Sequence, residues 1–352
     1  MSAGATAPVL EIKHLQVTFR SDDGDVPAVE DVSFCVHHGQ TLCIVGESGS
    51  GKTVSALAAM GLHDKSQTRV TAALLALHGE NLLSLAESKL RQLRGNRMAM
   101  IFQDPMTALN PYLTIGAQLA EVLILHQNIS RKRADELSTQ MLTDVGIPAA
   151  KQRLAAYPHE LSGGMRQRVV IAMAQLCKPD LIFADEPTTA LDVTIQAQVL
   201  QLLKTIQKYR GTALVFITHD LAIVANMADH VLVMYGGMVM EQANATTLFR
   251  DPQHPYTVGL LGSLPSAQKR GGRLFAIAGM PPLPQNRPKG CVFAPRCPLA
   301  DQRCVAERPP LLPVAPESDH LTRCFRAAEV PAWAAAQRAQ RGEVHAGGAA
   351  HA

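Results

Sequence analysis

Eight residues, Gly46-Glu47-Ser48-Gly49-Ser50-Gly51-Lys52-Thr53, bring glycines, hydroxyls and one lysine together in the order of a phosphate-binding loop. The glycines let the backbone curl round a polyphosphate chain and turn successive N–H groups inward at the N-terminus of the following helix. Lys52 then reaches the β- and γ-phosphates as a point charge, and the Thr53 hydroxyl enters the shell of a magnesium ion. ATP with Mg2+ is the cofactor this implies. A second group, Asp185-Glu186, ends the hydrophobic run Leu181-Ile182-Phe183-Ala184. Asp185 is expected to hold magnesium directly or through water, and Glu186 to polarise the attacking water. An Asp-Glu pair is common on surfaces, but a pair that ends a buried strand in a chain carrying a phosphate loop reads as hydrolytic machinery.

These groups need a scaffold that delivers them to one place. The loop follows Thr41-Leu42-Cys43-Ile44-Val45, a short apolar run read as a buried strand, and precedes Val54 to Met60, read as a helix. Further strand-like runs lie at Leu181–Ala184, Ala213–Ile217 and Val231–Met234, while residues 163–177 and 193–208 space their apolar positions at three and four. Strands alternating with helices predict an α/β fold with a parallel sheet covered on both faces. Residues 84–160 read as amphipathic helices with few strand signals, a helical subdomain on the nucleotide-binding core. Prolines crowd 252–316 and four cysteines fall between 291 and 324, which marks a domain boundary near 250–265. Residues 326–352, rich in Ala, Arg and Gly, predict disorder or a loose helix.

With 352 residues and 47% hydrophobic content the chain has ample material for a core. A net charge of +3 gives no field that calls for nucleic acid as a partner. The start, Met1 to Pro8, lacks a basic segment followed by an apolar one, so a cytoplasmic chain is expected. The longest apolar stretches, such as Val169 to Cys177, are about half of what a bilayer requires, so any link to a membrane runs through other subunits.

Leu161-Ser162-Gly163-Gly164-Met165-Arg166-Gln167 narrows the class. The chain resembles the ATP-binding cassette ATPases over about residues 8–250, and this segment matches their signature motif. In that family the signature of one cassette closes on ATP held by the phosphate loop of a second. Ser162 and the N–H groups of Gly163 and Gly164, at a helix N-terminus, suit a γ-phosphate, and Ser162 also suits the helix cap. The resemblance further implies that Gln103 senses magnesium and the attacking water, that His219 contacts the γ-phosphate, and that Asp192, in Ala190-Leu191-Asp192, lies at the dimer interface. Phe19 stands where the family has an aromatic residue stacked on adenine. The implied fold is a phosphate-loop nucleotide-binding domain with a helical subdomain and a small cysteine-rich C-terminal domain.

About 110 positions separate Lys52 from Ser162, without sustained heptads, unlike the coiled-coil insertions of DNA-repair relatives. One cassette per chain is also unlike the ribosome-acting members. Met165 to Arg168, Asp185 to Thr194 and His254-Pro255-Tyr256-Thr257 with Leu260-Leu261 look like the dipeptide and oligopeptide importer ATPases, and nickel importers share much of this pattern. The His-Pro-Tyr-Thr segment reads as structural, fixing the exit from the cassette. The resemblance implies peptide import, with nickel or another small solute as the alternative cargo and a non-transport ATPase as the alternative class. It implies a second cassette, expected to be a different subunit, two transmembrane permease subunits, an extracytoplasmic peptide-binding protein, and a place on the cytoplasmic face of the bacterial inner membrane.

Cys291, Cys297, Cys304 and Cys324 show none of the close pairs usual for zinc. Disulfides are disfavoured in the cytosol. Four soft donors in a proline-braced segment suit an iron–sulfur cluster of cubane type, with zinc or unligated thiols as alternatives, and the resemblance implies a [4Fe-4S] cluster there. Cys35, Cys43 and Cys177 read as small core residues. The expected division is 1–255 for the nucleotide-binding domain with its helical subdomain at about 84–160, 256–325 for the cysteine-bearing domain, and 326–352 for the tail.

Overall fold

A computed structural model of the chain describes residues 7–22, 24–189, 191–263 and 277–340. Among the described residues, eight strands form the central sheet in the order Leu312–Pro313, Leu321–Thr322, Met238–Asn244, His230–Tyr235, Thr41–Val45, Ala213–Thr218, Leu181–Asp185 and Met98–Ile101. The strands from His230–Tyr235 to Met98–Ile101 run parallel, and the rest pair antiparallel along the other edge. Thr41–Val45, Leu181–Asp185 and Ala213–Thr218 are buried at every position, which is why their sequences are unbroken apolar runs.

Alternate residues of these strands serve two cores. Cys43, Val45, Ile182, Ala184 and Phe216 face one, and Leu42, Ile44, Leu181, Phe183 and Val215 face the other. Helices fill the first, among them Ile115–Gln127, Arg131–Asp144, Gly163–Gln175 and Val193–Arg210. Their ends are written locally: Thr114, Ser130, Ser162 and Asp192 each accept a backbone N–H at the N-cap, and Val193–Arg210 stops at Gly211 with φ +67°. The second core lies between the sheet, the phosphate-loop helix Lys52–Ala59, and an antiparallel sheet in which Leu10–Phe19 pairs with Val26–Val36, Leu74–Leu77 and Thr68–Thr71.

That antiparallel sheet was not anticipated. The alternation of Leu10–Phe19 is interrupted by register shifts between Ile12 and Leu15 and again on to Val17, with His14 at φ +53°, so a strict period of two never accumulates. Met98–Ile101 was missed too, inside the stretch expected to be helical, because four residues are too few to show a period and Met and Ala favour helices. Cys43 and Cys177 are buried as expected, whereas Cys35 is exposed on the outer face of its strand.

The described residues after 255 pack into the cassette's own core, which gives no support to a separate cysteine-rich domain. Leu321–Thr322 adds to the edge strand Met238–Asn244, and Cys291, Val292, Phe293 and Cys304 join the helical core. Buried Arg323 donates to Val239 O at 2.8 Å and to Asp31 Oδ2 at 2.9 Å, tying both sheets to this segment. A stretch too short to build its own core completes the cassette's instead. Part of the tail read as disordered or loosely helical is the helix Val330–Gln340, with Val330 and Ala334 buried beside Val258, while 341–352 lie outside the described residues.

Phe293 is the anchor of this docking. Its ring meets Tyr235 edge-on at 5.3 Å and lies 5.3 Å from Tyr256 and 5.8 Å from His254. Phe293→Ala should cost about 3–5 kcal/mol, read as a lower urea midpoint with an unchanged slope. Loss of under about 1 kcal/mol would show that the segment rests on the cassette without sharing its core.

Candidate active site

The phosphate-loop strand ends at Val45, and the chain turns at once through Gly46 with φ +152°. A Cβ here would collide with the carbonyl oxygen of Met234, so only glycine lets the loop pass this close to the neighbouring strand. Gly49 and Gly51 also sit at positive φ, and Gly51 is the N-cap of Lys52–Ala59. Lys52 is buried; its Nζ donates to Gly46 O at 2.8 Å and Glu47 O at 3.0 Å, which holds the ammonium across the loop beside the buried Ser50 hydroxyl. Burial pulls the Lys52 pKa below its ordinary value, against the pull of the nearby Glu186, Asp185 and Glu47 charges.

Thr53 Oγ1 donates to Asp185 Oδ1 at 3.1 Å, so the hydroxyl and carboxylate expected at magnesium stand side by side. Burial pushes the Asp185 carboxyl up; Thr53 and Lys52 oppose this and Glu186 adds to it. A divalent cation would relieve that cost, and hard oxygen donors are what magnesium takes.

Glu186 leaves the strand with φ +45°, its N–H bonded to Ile217 O at 2.9 Å. Its carboxylate accepts from Thr189 Oγ1 at 2.9 Å and Gln103 Nε2 at 3.2 Å, and lies 3.1 Å from His219 Nδ1. The three residues expected to be catalytic, Glu186, His219 and Gln103, are thus within one hydrogen-bond cluster, although they come from the ends of three strands. Burial alone would raise the Glu186 pKa, but the bonds from His219 and Thr189, with the charges of His219 and Lys52, bring it below the ordinary carboxylate value. An ionised carboxylate beside a lysine and a magnesium pair can orient water for in-line attack on a γ-phosphate. The sequence alone assigns Thr189 no role, since a threonine hydroxyl suits many surroundings; its bond to Glu186 is visible only in the side-chain geometry.

The other expected residues lie apart from this cluster. Ser162 and Gly163 are exposed; Ser162 Oγ accepts from Met165 N at 3.4 Å, and a Cβ on Gly163 would meet nothing within 4 Å. Gly164 packs against Ile195, where a Cβ would come within 2.7 Å of Cγ2. Exposed Asp192 caps its helix through Ile195 N at 3.0 Å, and Ala190 lies outside the described residues. Phe19, half-buried at the end of its strand, meets His63 edge-on at 5.6 Å. The Glu47 side chain does not face the loop interior but pairs with Arg296.

Cys291, Cys297, Cys304 and Cys324 do line one pocket, together with His254 and Phe293. The expected iron–sulfur cluster is nevertheless corrected. Among the described residues no group of three or more His, Cys, Asp or Glu side chains is placed to hold a metal ion. The void between the thiols is about 10 Å³, at the limit for one water molecule. Burial pushes all four thiols up, Cys297 to about 11 and Cys324 to about 12, which favours neutral S–H over the thiolate a metal requires. The four are free thiols, packed beside His254 and Phe293.

A glycine loop, an Asp-Glu pair at a strand end and a strand-end histidine at the carboxyl edge of a parallel sheet define a phosphate-loop ATPase of cassette type. The family described as ABC transporter matches residues 29–189, and the one described as oligopeptide/dipeptide transporter, C-terminal region, matches 240–304. Among curated proteins the chain is 50% identical to the oligopeptide transport ATP-binding protein OppD of Escherichia coli (strain K12), over 91% of this chain and 94% of that protein. It is 47% identical to the oligopeptide transport ATP-binding protein AppD of Bacillus subtilis (strain 168), over 90% and 96%. This chain belongs to the ABC transporter ATPases. Among solved structures, the dimeric bacterial ABC transporter cassette MJ0796 matches with a TM-score of 0.59 at 25% identity, covering 67% of this chain and 98% of that one. No described helix is long and apolar enough to cross a membrane.

Gly46→Ala places a methyl against Met234 O in a backbone conformation that L-residues rarely adopt. ATP binding is expected to fall at least about tenfold, measured by titration calorimetry, with a lowered melting temperature. Retained affinity would mean that the loop conformation is not fixed by this contact.

Proposed function

We propose that this chain is the ATP-hydrolysing subunit of an oligopeptide importer. The observation that carries the ATPase role is the convergence of Thr189, Gln103 and His219 on Glu186, next to the Thr53–Asp185 pair and Lys52. In this reading Lys52 and the loop Gly46 to Gly51, through the N–H groups not already bonded, hold the phosphates, Thr53, Asp185 and Gln103 serve Mg2+, Glu186 polarises water, and His219 contacts the γ-phosphate. Phe19 supplies a face to adenine. The peptide cargo is supported by the match over 240–304 and by relatives named for oligopeptide transport.

Exposed Ser162, Gly163 and Asp192 hold no place in this chain's own cluster, which supports their use on nucleotide bound by a second cassette. The similar MJ0796 cassette is described as dimeric. The pair would work beneath permease subunits at the inner face of the membrane, with a binding protein delivering peptide outside. ATP closes the two cassettes and hydrolysis reopens them, and that cycle drives alternating access. Residues 1–255 carry the nucleotide chemistry, and the segment 256–325 braces it.

Glu186→Gln keeps the size of the side chain but removes the base. ATP binding should persist while turnover falls by about 10²-fold or more, measured by phosphate release and nucleotide titration; hydrolysis at the wild-type rate would sink the assignment. Thr189→Val removes one bond to the carboxylate and so raises its pKa. The acid-side midpoint of the kcat/KM profile should move to higher pH, and an unmoved midpoint would exclude Glu186 as the group that titrates.

A further inference from the structure

Glu47, the second residue of the phosphate loop, is gripped from two sides by residues far along the chain. Its backbone N–H donates to Tyr256 Oη at 2.9 Å. Its carboxylate accepts a two-pronged pair from Arg296, Nη1 to Oε2 at 2.6 Å and Nη2 to Oε1 at 3.1 Å, across 249 positions of sequence. The rest of the Arg296 guanidinium is equally engaged: Nη1 also donates to Tyr235 Oη at 3.1 Å, Nε to Ala278 O at 2.8 Å and Nη2 to Ile277 O at 3.1 Å. Its side chain is only 6% exposed. Tyr235 and Tyr256 in turn pack on one another and on Phe293, so the whole grip is anchored in the core.

The loop needs such a hold. Gly46, Gly49 and Gly51 all adopt positive φ, and a Cβ on Gly49 would touch nothing within 4 Å, so packing does not restrain the loop at its crest. Glycines give the backbone freedom that must be lost when phosphate binds, and a loop already fixed binds more tightly because that loss has occurred on folding. The helix beginning at Lys52 fixes one end of the loop, and the strand ending at Val45 fixes the other. Between them Gly237 N donates to Ser50 O at 3.1 Å, and Glu47 is where residues beyond 255 tie the loop. A planar guanidinium on a carboxylate fixes direction as well as distance, which a single ammonium does not.

We propose that Arg296 and Tyr256 are positioning residues for ATP: by clamping Glu47 they hold the phosphate loop in its receptive shape, and the segment beyond residue 255 thereby sets nucleotide affinity. This rests on the reading of residues 46–53 as the nucleotide site. It gives the C-terminal segment a part in the reaction although none of its side chains approaches Lys52 or Glu186 by a hydrogen bond among the described residues.

The test measures Mg-ATP affinity by calorimetry and steady-state KM and kcat on the full chain, for Arg296→Ala, Arg296→Lys, Glu47→Ala and the Glu47→Ala/Arg296→Ala double variant. Loss of a partly buried, charge-assisted pair should weaken ATP about tenfold in either alanine variant. The double variant should be no weaker than the singles, because each removes the same clamp. Arg296→Lys, which keeps the charge and loses the fork, should fall between, and kcat at saturating ATP should change less than about twofold, since the clamp acts before chemistry. Unchanged affinity in all variants, losses that add, or a fall in kcat with KM constant would overturn the proposal, and a lowered melting temperature alone would show a structural tie only. If Arg296→Ala does not fold, Arg296→Lys and Glu47→Ala carry the same comparison. Lys52→Ala serves as the reference: ATP binding that survives it would refute the nucleotide site itself, whereas binding lost in Lys52→Ala and unaltered at Arg296 would refute only the clamp.

Discussion

Val45 pairs with Thr218, Ile217 with Asp185, and Ala184 with Ile101, so four parallel strands end in register at one edge of the sheet. The residues that follow those ends are Gly46, His219, Glu186 and, after Phe102, Gln103. Every chemical contact in the site depends on this alignment. A slip of one residue would move a strand end by about 3.3 Å, more than the whole length of the bonds to Glu186, and would turn each side chain to the opposite face. The two cores make that slip costly, because Val45 and Ile44, or Ile182 and Phe183, would have to exchange partners between a layer of helices and a layer of antiparallel strands.

The parts that could be read in advance were those where chemistry restricts the choice of residue. A loop passing under Met234 O needs glycine, a phosphate-binding pattern calls for a lysine, and strands buried on both faces need unbroken apolar runs, so each leaves a mark in the amino-acid string. Leu10–Phe19 left a weaker mark because its pleat is interrupted, and Met98–Ile101 left almost none, since its neighbours rather than its composition make it a strand. The roles of Thr189, Tyr256 and Arg296 were hidden for another reason. A hydroxyl or a guanidinium suits many surroundings, and which carboxylate or N–H it meets is decided by packing between elements up to 249 positions apart.

The four cysteines show the limit of counting donors. Their number and their confinement to 34 residues were sound observations, yet ligation also needs space and ionised sulfur. Around Cys291, Cys297, Cys304 and Cys324 the chain supplies a void of about 10 Å³ and a buried setting that pushes the thiol pKa values up. The same stretch is knitted into the cassette through Phe293, Arg296 and Arg323, so its compactness comes from the core it borrows.

Glu186 stands at φ +45°, a conformation that non-glycine residues avoid at a cost of the order of 1 kcal/mol. The fold therefore keeps a carboxylate where backbone preference alone would select Gly or Asn. Backbone preference and the carboxylate's place in the hydrogen-bond cluster pull in opposite directions at this position. Replacing Glu186 by Gly or Asn would relax the backbone there and at the same time remove the carboxylate on which Thr189, Gln103 and His219 converge.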